Sequence, residues 1–98
     1  MVPPLLFDIS DIDLEQVTHD VEAIERVNPH RGDMRMLDGI TWLNEDVTEG
    51  MAFKDIREDE FWVPGHIPGR PIFPGVLMLE PAGQVATFGV LANIERSL

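Results

Sequence analysis

The hydrophobic positions of this chain fall into three blocks with different periods. In DLEQVTHDVEAIERV, Leu14, Val17, Val21 and Ile24 recur at steps of 3, 4 and 3, which is one apolar stripe of an amphipathic helix. Ser10 and Asp11 both suit its N-cap. The β-branched pair Val17-Thr18 weakens such a helix, and a break with Thr18 or Asp20 as a second cap is the alternative. NPHRG closes the segment, because the residue before Pro29 avoids the α region and Gly32 suits a turn. The second block reads as two strands, Met36–Leu43 and Thr48–Ile56, joined as an antiparallel hairpin through the polar NEDVTEG. From Phe73 or Pro74 to about Ile94 the chain is almost wholly apolar, and a helix apolar nearly all round is a buried central helix. Pro81 removes the amide that would bond Leu77 in that helix and predicts a kink.

Composition narrows the class. Ninety-eight residues, 44% hydrophobic and 26% charged, fit one soluble globular domain spanning 1–98. No apolar run approaches the ~18 residues that span a bilayer. The opening MVPPLLFDIS has no basic region and turns acidic at Asp8, unlike a secretory signal. With no cysteine, disulfides, thiolate metal sites and a Cys nucleophile are excluded, and a cytoplasmic location is the default. Residues 61–98 carry Glu80 and Glu95 against Arg70 and Arg96, so the entire net charge of −11 lies in residues 1–60. That half repels nucleic-acid phosphates and anionic lipid, so neither is expected as a partner.

The chemistry concentrates in FWVPGHIPGRPIFPGVLMLEPAGQ. Pro64, Pro68, Pro71, Pro74 and Pro81 are five of the eight prolines, and the only ionisable side chains here are His66, Arg70 and Glu80. Pro64, Gly65, Pro68 and Gly69 fix the backbone around His66 and permit close approach by a ligand or another chain. Glu80 interrupts an apolar helix, where a carboxylate must be paired, neutralised or functional. Burial favours the neutral form of a carboxyl, which suits a general acid. Gly75, Val76 and Leu77 present free amides at the positive end of the helix, where they polarise a carbonyl oxygen gaining charge. Base, acid and amides suit chemistry beside a thioester: an α-proton is removed while a β-hydroxyl leaves as water. His19 and His30 read as structural, and no His/Asp/Glu cluster has metal-ligand spacing.

GHIPGRPIFPGVLMLEPAGQ resembles the signature of the FabZ-type 3-hydroxyacyl-acyl-carrier-protein dehydratases, and NPHRGDMRMLDGI is similar to their upstream segment. The resemblance covers about residues 20–92. It implies an α+β hot-dog fold, an antiparallel sheet wrapped around a long central helix. It implies catalysis by His66 as base and by Glu80 at the hydroxyl or its leaving water. The Gly75 amide falls where that family polarises the thioester carbonyl, beside the Val76 amide already read as substrate-binding, and Gln84 would be a positioning residue. Neither cofactor nor metal is implied. The implied substrate is a (3R)-hydroxyacyl thioester on acyl carrier protein, converted to the trans-2-enoyl thioester in fatty-acid or related biosynthesis. Sites shared between chains imply a homodimer or higher homo-oligomer. A non-catalytic acyl-binding or assembly partner, or a thioesterase, are the alternatives within the same fold. Most strands of such a sheet follow the helix in sequence. The 98 residues are therefore expected to hold only the first helix, two strands and the central helix, as a fragment or with a second chain supplying the rest.

Overall fold

The computed structural model describes residues 7–97, so the first six residues of the opening segment lie outside the described residues. Four elements follow in order: α1 (Val21–Val27), β1 (Gly39–Leu43), β2 (Gly50–Phe53) and α2 (Leu79–Ser97). Short 3-10 turns at Gly32–Met34 and Gly75–Met78 precede β1 and α2.

Helix α1 is shorter than the apolar stripe predicts. It starts after Asp20, whose carboxylate accepts from the Ala23 amide, and Glu22 and Arg26 pair at 3.0 Å along its exposed face. The second-cap alternative is therefore the observed one, and Ser10 and Asp11 cap no helix. The physical reason lies in β1. Thr18 N–H donates to the Ile40 carbonyl at 2.7 Å, and Ile40 N–H donates to the His19 carbonyl at 2.9 Å. This extended bridge claims the β-branched region that a longer helix would need. Leu14 and Val17 are left exposed.

The hairpin is antiparallel, as expected, with Gly39 opposite Phe53, Ile40 opposite Ala52, Trp42 opposite Met51 and Leu43 opposite Gly50. A register shift between Ile40 and Trp42 leaves Thr41 as the extra residue of a bulge. Asn44 builds the turn: its Oδ1 accepts from the Thr48 and Glu49 amides, both at 2.8 Å. Gly39 has a steric reason, since a Cβ there would sit 2.6 Å from Cζ of the Phe53 ring. The strands are shorter than predicted because flanking residues have other partners. Met36 N–H goes to Gln84 Oε1, and Asp55 N–H to Asp38 Oδ2.

Helix α2 lies against the hairpin and α1 through one stripe. Phe88 joins Ile24, Leu37 and Ile40 in the core, and Val85 and Ala92 pack beside it. The buried-all-round expectation does not hold for these residues. Val76 and Leu79 are 76% and 74% exposed, and Met78, Val90 and Ile94 are also open. A two-stranded sheet covers only one side of a helix. Contrary to the sequence expectation, the Gly75–Glu95 helix is long and apolar enough by composition to cross a membrane. Its buried Gln84 and Phe88 are nevertheless packed on the chain's own residues.

Pro81 does not lie in the helix interior, because the α-helix begins only at Leu79. The preceding turn is 3-10, with Leu77 N–H bonded to the Pro74 carbonyl at 3.0 Å and Leu79 N–H to Val76. Pro81 thus occupies the first α turn, where its missing N–H has no intrahelical partner to lose.

Replacing Asp20 with Ala should cost about 1 kcal/mol in chemical denaturation, the usual value of a helix cap. Leu14→Ser should change stability by less than ~0.5 kcal/mol. A larger loss at Leu14 than at Asp20 would show that the helix begins before the bridge.

Candidate active site

His66 sits on a loop whose own residues form its frame. Ile67-Pro68-Gly69-Arg70 closes a tight turn, with Arg70 N–H on the Ile67 carbonyl at 2.9 Å and Gly69 at φ 77°. Proline at the second position and a left-handed glycine at the third are what a type II turn requires. Below it, His66 N–H donates to the Trp62 carbonyl at 2.9 Å and Ile72 N–H donates to the His66 carbonyl at 2.8 Å. The imidazole closes the frame, with Nδ1 2.8 Å from the Ile72 carbonyl oxygen. A carbonyl can only accept, so Nδ1 carries the hydrogen and, in the neutral ring, Nε2 holds the lone pair. His66 is exposed, so that lone pair faces outward.

The loop is braced from beneath. Trp62 is buried and its ring lies 5.4 Å from that of Phe73. Lys54, just past β2, forms an ion pair with Glu60, whose Oε2 accepts from the Arg57 amide at 2.7 Å. Burial alone would push the Glu60 carboxyl up, but the Arg57 amide and Lys54 together hold it below its ordinary 4.5. The Trp62 indole N–H is directed to the same carboxylate but completes no hydrogen bond.

Glu80 lies on α2 with its side chain 37% exposed, so the burial expected of it does not hold among the described residues. Gln84, one turn on, is 1% exposed. Met36 N–H donates to its Oε1 at 2.9 Å, which fixes the carboxamide orientation and leaves Nε2 to donate. That NH2 reaches the Met34 carbonyl at 2.7 Å and Glu80 Oε1 at 3.5 Å. Asn28 adds a bond from Nδ2 to the Gln84 carbonyl at 3.0 Å. Gln84 therefore ties the 34–36 segment to α2 while turning an N–H toward Glu80.

His30, which the sequence reading treats as structural, faces the same carboxylate. Its Nε2 is 4.0 Å from Glu80 Oε1, and its Nδ1 is buried without a partner. Arg31 holds this turn by donating to the carbonyls of Glu25, Asn28 and His30. The one signal for His30 in the sequence is its place in NPHR.

Gly75 and Val76 are exposed ahead of α2, and no described hydrogen bond uses either amide. Leu77 departs from the expectation of three free amides, since its N–H is engaged by Pro74. Among the described residues no hydrogen bond or ion pair joins His66 to Glu80, and no His/Asp/Glu group could hold a metal. A groove of about 360 Å³ between hairpin and helix is lined by Leu43, Val85, Gly89 and Val90, away from both residues.

The match to known proteins falls on these same segments. A family model described as a FabA-like domain matches residues 28–97, from Asn28 through His66 and Glu80 to the end of α2. The chain belongs to the FabA-like family. Among its relatives is a protein named 3-hydroxyacyl-[acyl-carrier-protein] dehydratase FabZ from Clostridium botulinum (strain Okra / Type B1). It is 34% identical over 76 residues, 78% of this chain and 52% of the relative. A protein of the same name from Petrotoga mobilis is 34% identical over 79 residues, 81% of this chain and 55% of the relative. The chain thus spans about half the length of the FabA-like relatives it matches.

The Glu60 brace gives a pH prediction. Its folded value is depressed, so its stabilisation is complete above 4.5 and is lost as pH falls through the folded value. Trp62 emission, read in a Trp42→Phe background, should stay constant above pH 4.5 and shift to the red only below it. A shift completed above pH 4.5 would contradict the brace.

Proposed function

We propose that these residues form part of a hot-dog dehydratase domain that removes water from (3R)-hydroxyacyl thioesters carried on acyl carrier protein. The reading is supported chiefly by the 2.8 Å contact between His66 Nδ1 and the Ile72 carbonyl, which leaves Nε2 as a proton acceptor. Family membership supports the same chemistry. His66 Nε2 takes the C2 proton as the thioester oxygen gains enolate character. The free Gly75 and Val76 amides stabilise that charge at the start of the helix. Glu80, steadied by Gln84, gives a proton to the C3 hydroxyl, which leaves as water with formation of the trans-2 double bond. The proton on His66 then passes to solvent and returns to Glu80, so the cycle consumes no cofactor.

The exposed apolar side of α2 supports a domain completed by further strands, either from the same protein or from a second chain. Because no described hydrogen bond or ion pair joins His66 to Glu80 within one chain, we assign each site to two chains of a homo-oligomer. A cytoplasmic location accords with a substrate carried on acyl carrier protein.

In the complete protein, His66→Ala and Glu80→Gln should each lower kcat by about 10²-fold or more without changing the oligomeric mass. Either variant at near-wild-type activity would remove that residue from the mechanism. Binding of an acyl-pantetheine analogue with no turnover by the wild-type protein would instead favour an acyl-binding module.

A further inference from the structure

Among the ion pairs of the described residues, the most enclosed one is not in the proposed chemistry. Lys54 and Glu60 have side chains only 10% and 11% exposed and are ion-paired to each other. Ordinary lysines and glutamates stay at the surface, so a pair this enclosed has a use beyond solubility.

Their connections reach both arms of the His66 loop. Lys54 follows directly on β2, and its neighbour Asp55 is fixed by an N–H bond to Asp38 Oδ2 at 2.7 Å. The ammonium is therefore anchored to the sheet. On the outgoing arm, Glu60 takes the ammonium through Oε1 and the Arg57 amide through Oε2, and its carbonyl accepts from Val63 N–H at 3.1 Å. Two residues further on, the Trp62 carbonyl receives the His66 amide. On the return arm, the Lys54 ammonium lies 5.6 Å from the centre of the Phe73 ring, which packs at a tilt against Trp62. Phe73 follows directly on Ile72, whose carbonyl fixes the His66 ring. One ammonium thus grips both ends of the segment that carries the base.

We propose that the Lys54–Glu60 pair is a positioning device for His66, setting the height and direction of Nε2 from the end of β2. As a role in catalysis it rests on the dehydratase reading above. As a mechanical clamp it does not. Neither residue touches substrate. Their action runs through Trp62 and Ile72, and a displacement of about 1 Å at a catalytic group can cost 10²-fold in rate.

The test uses the complete protein with Glu60→Gln and the double variant Lys54→Met/Glu60→Gln. The single change leaves the ammonium unpaired. The double change removes both charges and keeps an acceptor for the Arg57 amide. Two readouts are taken together: steady-state kinetics and amide hydrogen exchange. In both variants kcat should fall at least about tenfold with KM within about threefold. Exchange at His66 and Ile72 should quicken at least about tenfold, while Asn28 and Ile40 in the core change by less than about twofold. The double variant should regain thermal stability but not kcat.

Recovery of kcat together with stability in the double variant would overturn the proposal, because the pair would then only hold the fold. Unchanged exchange at His66 and Ile72 would overturn it whatever the activity. Faster exchange at those two amides, with no turnover by the wild-type protein, would support the clamp and reject the dehydratase reading.

Discussion

The structure depends on one buried carboxamide. Gln84 is 1% exposed, and its two ends are bonded to the backbone at Met34 and Met36, 50 and 48 residues earlier in the chain. Asn28 reaches the Gln84 carbonyl from the end of α1. These bonds hold an otherwise apolar helix against the amino-terminal half of the chain. A helix packed only by hydrophobic contact could slide or rotate with little penalty. A buried amide that loses its partners costs about 1–3 kcal/mol, so this one fixes both register and rotation. Glu80 is one turn away on the same helix, and its direction follows from that fixed rotation. The orientation of the proposed acid is therefore set by the same bond network that docks the helix.

A second frame holds the proposed base, and it is built differently. Prolines, a type II turn and a reciprocal pair of bonds between His66 and Ile72 make the loop stiff. The Lys54–Glu60 pair and the tilted Trp62–Phe73 contact seat it on the hairpin. Removing one partner of such a pair leaves a buried charge and typically costs about 3–5 kcal/mol, far more than an exposed ion pair is worth. Base and acid thus belong to separate rigid units. In the proposed assembly their relation would be set by a second chain, and the open face of α2, where Val76, Leu79, Val90 and Ile94 stand exposed, is the surface left for it.

The sequence made some of this plain. The Pro/Gly spacing around His66 and the apolar run around Glu80 marked both halves of the proposed site, because turn chemistry and a charge in an apolar helix leave local marks. The hairpin was legible for the same reason, through NEDVTEG. The length of α1 was not, since the bridge from Thr18 and His19 to Ile40 is a long-range contact that overrides the stripe from Leu14 to Ile24. Pro81 was misread because its effect depends on where the helix starts. A kink was expected in a helix interior, and a 3-10 turn moved the α start to Leu79. The Lys54–Glu60 pair carries no local signature, and His30 has only its place in NPHR. Each matters only through partners that folding brings to it.

The central claim is that one chain supplies the His66 frame and another the Glu80 helix, and that the two make a single dehydrating centre. Mixed dimers test it directly. His66→Ala and Glu80→Gln forms of the complete protein, each inactive alone, are unfolded together, refolded in equal amounts and assayed for 3-hydroxyacyl thioester dehydration. Random pairing of a homodimer gives half mixed dimers, each with one intact site, so activity should return to about a quarter of wild type. Activity that stays at the level of the separate variants would contradict the account.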